Sequence, residues 1–199
     1  MKFSRLLALA AAACVVSIVL AACQSRQAEP EPQASQADAP SYQPTATIKD
    51  LMLSVVDPAA DVVWLSVTTV VSDKGLVETR PISDEDWTRV RHGAITLVEA
   101  TNLLLMPGRR VARPGEKSET PGVELEPEEM DVLIAKDRPG WNMRVKALHD
   151  AAEAALRAVE SHDADKVFEL GEQIENACEG CHRQYWYPNE KVPELPAAP

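Results

Sequence analysis

Asn176-Ala177-Cys178-Glu179-Gly180-Cys181-His182-Arg183-Gln184-Tyr185-Trp186-Tyr187-Pro188 is the stretch around which the chain is organised. Cys178, Cys181 and His182 spell C-x-x-C-H, the attachment pattern of a c-type haem. Two thiols three residues apart share one helical face, where both can add to the vinyl groups of a haem. His182 follows directly and is placed to give its imidazole to the iron. Cys-x-x-Cys alone also fits a small disulfide or a redox dithiol in an exported chain. Thioredoxin-like dithiols, however, open a helix near the start of a βαβ unit, whereas this pair closes a helical chain. Zinc would need two further Cys or His at short spacing, and no such pair stands nearby.

The chain has 199 residues, enough for one domain of ordinary size, and a formal net charge of -11. Aromatics are scarce and Ala, Leu and Val plentiful, which suits helices rather than a β-sandwich. An acidic surface repels nucleic acid and favours basic protein partners. Met1 to Arg5 is a short basic segment, and Leu6 to Leu20 an apolar run too short for a comfortable membrane span. Leu20-Ala21-Ala22-Cys23 resembles a bacterial lipobox, with cleavage before Cys23 and acylation of that residue; the plainer alternative is an ordinary signal peptide. Residue 24 is Gln rather than Asp, which points to the outer membrane. Several acyl chains on Cys23 would anchor far more firmly than one. Cleavage removes Lys2 and Arg5 and no acidic residue, taking the formal charge from -11 to -13. Cys14 leaves with residues 1–22, Cys23 becomes the lipid anchor, and Cys178 and Cys181 remain.

Residues 23–44, rich in Gln, Ala, Ser and Pro, read as a disordered tether. Residues 45–190 form the expected domain, and 191–199 a Pro-rich tail. Ile48, Met52, Val55, Ala59, Val62 and Ser66 repeat at helical spacing and mark a first helix. Asp57-Pro58 interrupts it as an N-cap and first helical residue, giving one kinked helix or two short ones. The run Val67 to Val71 fits a helix end or an extended segment, and 72–82 a loop. Ser83 caps the second helix, with acids in its first turn and a stripe of Trp87, Val90, Ala94, Val98, Thr101 and Leu105. Residues 109–127 are an irregular connection, 128–136 one or two helical turns, and Pro139-Gly140 a break. Trp141, Val145, Leu148, Ala152, Ala155 and Val159 mark the third helix. Asp163 caps the fourth, whose stripe of Val167, Leu170, Ile174, Cys178, Cys181 and Tyr185 turns both thiols inward.

Four amphipathic helices with C-x-x-C-H on the last resemble the class II cytochromes c, the cytochrome c prime group, over about residues 45–190. Ile48-Lys49-Asp50-Leu51-Met52 followed by Asp57-Pro58-Ala59-Ala60-Asp61 also resembles the first helix of lipoprotein members. The resemblance implies an all-α, antiparallel four-helix bundle, in members often a homodimer. One covalent haem c would sit at the end formed by the C-terminus of the last helix. Carried over, Cys178 and Cys181 are the attachment sites and His182 the proximal ligand. A basic residue often stands four positions after that His; here the position holds Trp186, with Arg183 the nearest basic group.

An up-down-up-down order puts Met52, Met106 and Met143 at the haem end and His92 and His162 at the other. His149 falls part-way along the third helix. Met52 is the expected sixth ligand, the alternative being a core-filling methionine. Trp87, Trp141 and Trp186 are first of all apolar fillers, with Trp141 and Tyr185 beside the macrocycle. Arg109 and Arg110 are propionate partners or solvated loop arginines, and Glu124, Glu126, Glu128 and Glu129 a solvated face. No nucleophile–base pair, phosphate-binding glycine loop or paired carboxylates suggest an enzyme. The expected function is a monohaem cytochrome on the periplasmic side of a bacterial membrane, passing electrons between other redox proteins. Alternatives are a five-coordinate binder of nitric oxide or carbon monoxide, and a haem-free thiol-redox or structural lipoprotein.

Overall fold

The computed structural model describes residues 42–73 and 75–191. The expected signal peptide 1–22, the Cys23 anchor, nearly all of the tether and residues 192–199 lie outside the described residues.

The first helical run is α1 (Ile48–Leu51), a π-helical segment (Met52–Val56) and α2 (Asp57–Trp64). Thr47 starts it with a capping box: its side chain accepts from the Asp50 N–H and the Asp50 carboxylate accepts from the Thr47 N–H. Asp57 does not cap. It has helical dihedrals, and its N–H reaches back to the Met52 carbonyl. Pro58 brings no N–H to the helical ladder, and the turn before it widens into the π register. The run is therefore one helix with a wide turn rather than two capped helices.

A hairpin follows, β1 (Thr68–Ser72) antiparallel to β2 (Gly75–Thr79), with Val70 opposite Val77 and Val71 opposite Leu76. The loop expected over 72–82 is thus half strand, and the all-α expectation becomes a mostly helical fold with an exposed hairpin. The β-branched run Val67 to Val71 resists helix and favours extension. Gly75, at φ +106°, supplies a backbone conformation at the turn that other residues rarely adopt.

The remaining helices are α3 (Asp84–Leu104), α4 (Pro127–Lys136), α5 (Arg138–Glu160) and α6 (Ala164–Tyr185). Ser83 and Asp86 form the expected cap of α3 as a capping box. Asp163 accepts from the Lys166 N–H and caps α6. Pro139 and Gly140 do not break the chain. They lie in the first turn of α5, where the missing N–H of a proline costs nothing, and Asp137 caps that turn by accepting from the Gly140 N–H at 3.2 Å.

The first helical run packs on α3, α3 on α5, α5 on α6, and α6 back on α2, closing a ring of four. Two indole hydrogen bonds fix the antiparallel sense. Trp64 at the end of α2 donates to the Gly171 carbonyl early in α6 at 3.1 Å. Trp141 at the start of α5 donates to the Leu104 carbonyl at the end of α3 at 3.1 Å. Every residue of the expected α5 stripe is buried, and Ala94, Leu97, Ala155 and Ile174 are sealed from solvent.

The connection after α3 closes one end of the ring. The Arg110 and Val111 carbonyls accept from the Ile48 and Lys49 N–H groups at 2.9 Å, satisfying first-turn donors of α1. Arg109 donates to the carbonyls of Ala46 and Leu103, and Arg110 pairs with Asp131 at 2.6 Å. Arg109 is therefore not a solvated loop residue, whereas Arg110 is exposed and makes a surface ion pair. Glu124 accepts from the N–H groups of Glu119 and Thr120, and Glu126 from Ser118, so half of the expected solvated acidic face builds the loop instead.

Gly93 marks the closest approach of α3 to α2: a Cβ there would stand 2.6 Å from Val62 Cγ1 and 3.3 Å from the Ala59 carbonyl. Val62 is β-branched and stiff. Gly93→Ala therefore pushes the two helices apart, and denaturant unfolding should show a loss of about 1–3 kcal/mol, against the gain in helix propensity that the same change gives in an exposed helix.

Candidate functional site

Cys178, Cys181 and His182 occupy the last two turns of α6. All three are half-buried, and the two cysteines pack against the apolar core as the stripe predicts. Both thiols are free rather than joined in a disulfide. Burial pushes the Cys178 thiol up to about 11, helped by the carboxylates of Glu175 and Asp57. Burial, together with Cys178 itself, pushes Cys181 up to about 12, with Arg144 opposing. Burial holds His182 below the usual imidazole range, against the opposite pull of Glu179 and Asp57. At neutral pH the site therefore presents two protonated thiols and a neutral imidazole, the form of histidine that ligates metals. No hydrogen bond among the described residues engages the His182 ring nitrogens.

The helix end is held from three sides. The Trp186 N–H donates to the His182 carbonyl at 2.7 Å, and the Trp186 carbonyl accepts from the Leu125 N–H at 2.8 Å, tying the long connection to this corner. The Trp186 ring meets His182 edge-on at 5.0 Å. Tyr187 folds back so that its hydroxyl donates to Glu179, which also pairs with Arg183. On the α5 side, Tyr185 donates to the Asp137 carboxylate at 2.9 Å and meets Trp141 edge-on at 5.4 Å.

Sequence reasoning missed Asp137, Arg144, Glu179, Gln184, Tyr187 and Asp57 as site residues. Arg144, on α5, donates to the Gln184 side chain at 2.8 Å, and its guanidinium lies against Gly180, where a Cβ would stand 2.8 Å from Nη1. Arg144 thus sets a cation beside the motif from a neighbouring helix, where it acts on Cys181. A signal for it existed: the short linker 161–163 fixes which residues of α5 and α6 face each other, and counting outward from it sets Arg144 opposite Gly180.

Met52 is half-buried and packs on the apolar core, Met106 is half-buried with its sulfur against Arg109, and Met143 is exposed. Trp64 lies against Gly171, and Asp57 acts electrostatically on both Cys178 and His182. Since the helices run antiparallel, the chain before Asp57, including Met52, runs on toward the end of the bundle where α6 finishes. His92 is exposed, His162 stacks on Trp87 at 4.7 Å, and His149 bonds to the Thr101 hydroxyl at 2.9 Å, so all three are accounted for elsewhere. Arg109, engaged by two carbonyls, is not free to meet a propionate.

The donor set suits a haem joined through two thioethers: two adjacent neutral thiols, an unengaged neutral imidazole beside them, and an apolar wall of Trp141 and Tyr185. It does not suit a dithiol reagent, whose thiols need depressed pKa values. Among the described residues no group of three or more His, Cys, Asp and Glu could hold a bare metal ion, and no helix is long and apolar enough to cross a membrane.

No protein-family profile and no curated protein sequence matches the chain. Solved structures of partly similar shape include a ferrous mutant of cytochrome c prime from Alcaligenes xylosoxidans, 18% identical over 71% of this chain and 98% of that one, with a TM-score of 0.43. Another is a cytochrome c prime, 18% identical over the same shares, with a TM-score of 0.41. A third is the nitric oxide complex of a mutant of the Alcaligenes xylosoxidans protein, 17% identical over 71% of this chain and 97% of that one, with a TM-score of 0.43.

In the chain produced without haem, alkylation of Cys178 and Cys181 by iodoacetamide should be far slower at pH 8 than in the urea-unfolded chain, because only the thiolate reacts. The folded rate should climb as pH approaches 11, the value to which burial pushes Cys178. The same shifts make the folded apo-chain less stable as pH rises from about 9 toward 12, since the unfolded thiols ionise first. Mass spectrometry of quenched time points and denaturant midpoints measured across that range check both.

Proposed function

We propose that the chain is a lipid-anchored, periplasm-facing monohaem c-type cytochrome that passes single electrons between redox proteins and is not an enzyme. The observation that carries this reading is the set Cys178, Cys181 and His182 on one half-buried, core-packed helix end, with thiols protonated and imidazole neutral. The anchor at Cys23 and the export it implies rest on the lipobox-like segment at residues 20–23.

Bound haem would supply reversible one-electron chemistry between ferrous and ferric iron. Cys178 and Cys181 would tether it, and His182 would give the proximal nitrogen. Met52, half-buried on the first helical run, would give the iron a thioether and so exclude external ligands. Trp141 and Tyr185, both buried, keep water from the core side of this corner, Trp186 is exposed against the expectation that it fills the core, and Arg144 sets a positive charge beside the motif. Raised thiol pKa values and the lack of a βαβ setting weigh against the thiol-redox alternative. One observation favours the gas-binding alternative: Met52 packs on the apolar core, as a filler would.

Haem in the exported protein should remain with the chain through acidified-acetone extraction. The ferric spectrum should be low-spin, with the weak far-red band of methionine bound to iron. Met52→Ala should turn it high-spin and open it to carbon monoxide. A wild-type protein already high-spin and carbon monoxide-reactive makes the chain a gas binder, and loss of all haem in acetone returns it to the haem-free class.

A further inference from the structure

Beside the haem-attachment motif runs a groove that the electron-carrier reading leaves unexplained. It lies between the end of α2, the base of β1 and the first half of α6, and encloses about 610 Å³. Its floor is apolar: Val63, Trp64, Val67 and Val167. It is a constructed feature, because the Trp64 indole lies across α6 at Gly171, where a Cβ would stand 3.2 Å from Cδ1. Phe168 stands on its wall with 57% of its surface exposed, on a helix face otherwise acidic. Glu169, Glu172 and Glu175 line the rim. Lys166 pairs with Glu169, but among the described residues no ion pair neutralises Glu172 or Glu175.

An exposed phenylalanine in a groove rimmed by uncompensated carboxylates calls for an apolar side chain flanked by cations. A second copy of this chain is the wrong occupant: the formal net charge is -11, and a self-paired groove would set the same carboxylates against each other. An anionic lipid surface is disfavoured for the same reason. Position adds to the case. Glu175 stands one turn before Cys178, and Gly171 lies seven residues, about 10 Å along the helix axis, from Cys178. A partner seated here reaches the end of the bundle that holds the motif.

We propose that this groove is the docking surface for a redox partner that inserts an apolar side chain flanked by lysine or arginine, seating on Trp64 and Phe168 between Glu172 and Glu175. The proposal rests on the cytochrome reading for the role of that partner, but the surface can be tested apart from it. Long-range attraction steers the encounter and sets its rate and salt dependence, while the buried apolar contact sets its lifetime.

The test titrates the mature, full-length protein calorimetrically, in detergent and at low salt, with a synthetic peptide of alternating lysine pairs and leucine pairs. The matching glutamate–leucine peptide is the control. The lysine peptide should bind and the glutamate peptide should not, and added salt should weaken binding. Phe168→Ser and the double reversal Glu172→Lys/Glu175→Lys should each weaken it at least tenfold. The double reversal Glu99→Lys/Glu153→Lys changes the net charge equally on exposed positions of α3 and α5 and should leave it within about twofold. Phe168 is exposed, so its replacement leaves the core intact, and circular dichroism checks each variant.

Unchanged binding by Phe168→Ser, or equal weakening by the remote reversal, overturns the proposal by showing a general attraction to an acidic protein. A wild-type dimer in light scattering that Phe168→Ser converts to monomer overturns it in favour of a second copy. Haem content read from the same samples keeps the two claims apart. Covalent haem without peptide binding overturns the groove alone, and peptide binding by a chain that never acquires haem overturns the electron-carrier role alone.

Discussion

Ser161, His162 and Asp163 set the register in which α5 and α6 pack, and the site follows from that register. The turn is held at both ends. The Asp163 N–H bonds to the Ala158 carbonyl at 3.0 Å, and the Asp163 carboxylate then caps α6. His162 takes the left-handed conformation at φ 56°, and its ring stacks on Trp87, pinning the turn to the start of α3. Buried Ala151, Ala152, Ala155 and Ala158 line α5 with side chains small enough for close helix approach. With the register fixed, Arg144 falls beside Gly180, and Asp137 within reach of Gln184 and Tyr185. The cation, the carboxylate and the aromatic wall of the site are consequences of a tight turn at the opposite end of the helix pair.

Burial decides the chemistry at that site more than charge does. The carboxylates of Glu175, Asp57 and Glu179 raise the pKa of the Cys178 thiol, and Glu179 and Asp57 pull the imidazole upward too. Desolvation acts with them on the thiols and against them on His182, where it is the stronger effect. The outcome is a neutral donor set within an acidic setting. Such a site keeps its thiols unreactive toward oxidants that need a thiolate, and its imidazole free to ligate. The same acidic setting runs down α6 into the groove beside it, so the field that shapes the thiols also faces any docking partner.

What the sequence made legible was whatever is encoded within a turn or two. The caps at Ser83 and Asp163, the stripes of α3, α5 and α6 and the inward turn of both cysteines depend on neighbours within four residues, and periodicity carries them. Asp57-Pro58 left one kinked helix and two short ones equally open, and the N-cap role of Asp57 is wrong because a proline with an acid before it looks like a helix start. Tertiary packing instead kept the helix running and absorbed the missing N–H in a π turn. The hairpin was half legible, since Val67 to Val71 signals extension, but Leu76 to Thr79 carries too weak an alternation to show its partner. Arg109, Glu124 and Glu126 looked like solvated loop charges because their acceptors and donors lie on backbone that the local pattern does not place. Arg144 and Asp137 reach the motif only through the packing of two helices, which a reading of α6 alone cannot show.

The chemistry of this bundle end turns on whether Cys178 and Cys181 carry a haem. Intact-mass spectrometry of the exported protein, unfolded in denaturant so that anything not covalently bound is lost, decides it. The expected result is a chain heavier by one haem than its processed, acylated polypeptide, with Cys178→Ser/Cys181→Ser removing the haem mass. A wild-type chain at the mass of the processed, acylated polypeptide without haem, or lighter only by the two hydrogens of a disulfide, would contradict covalent haem at this site.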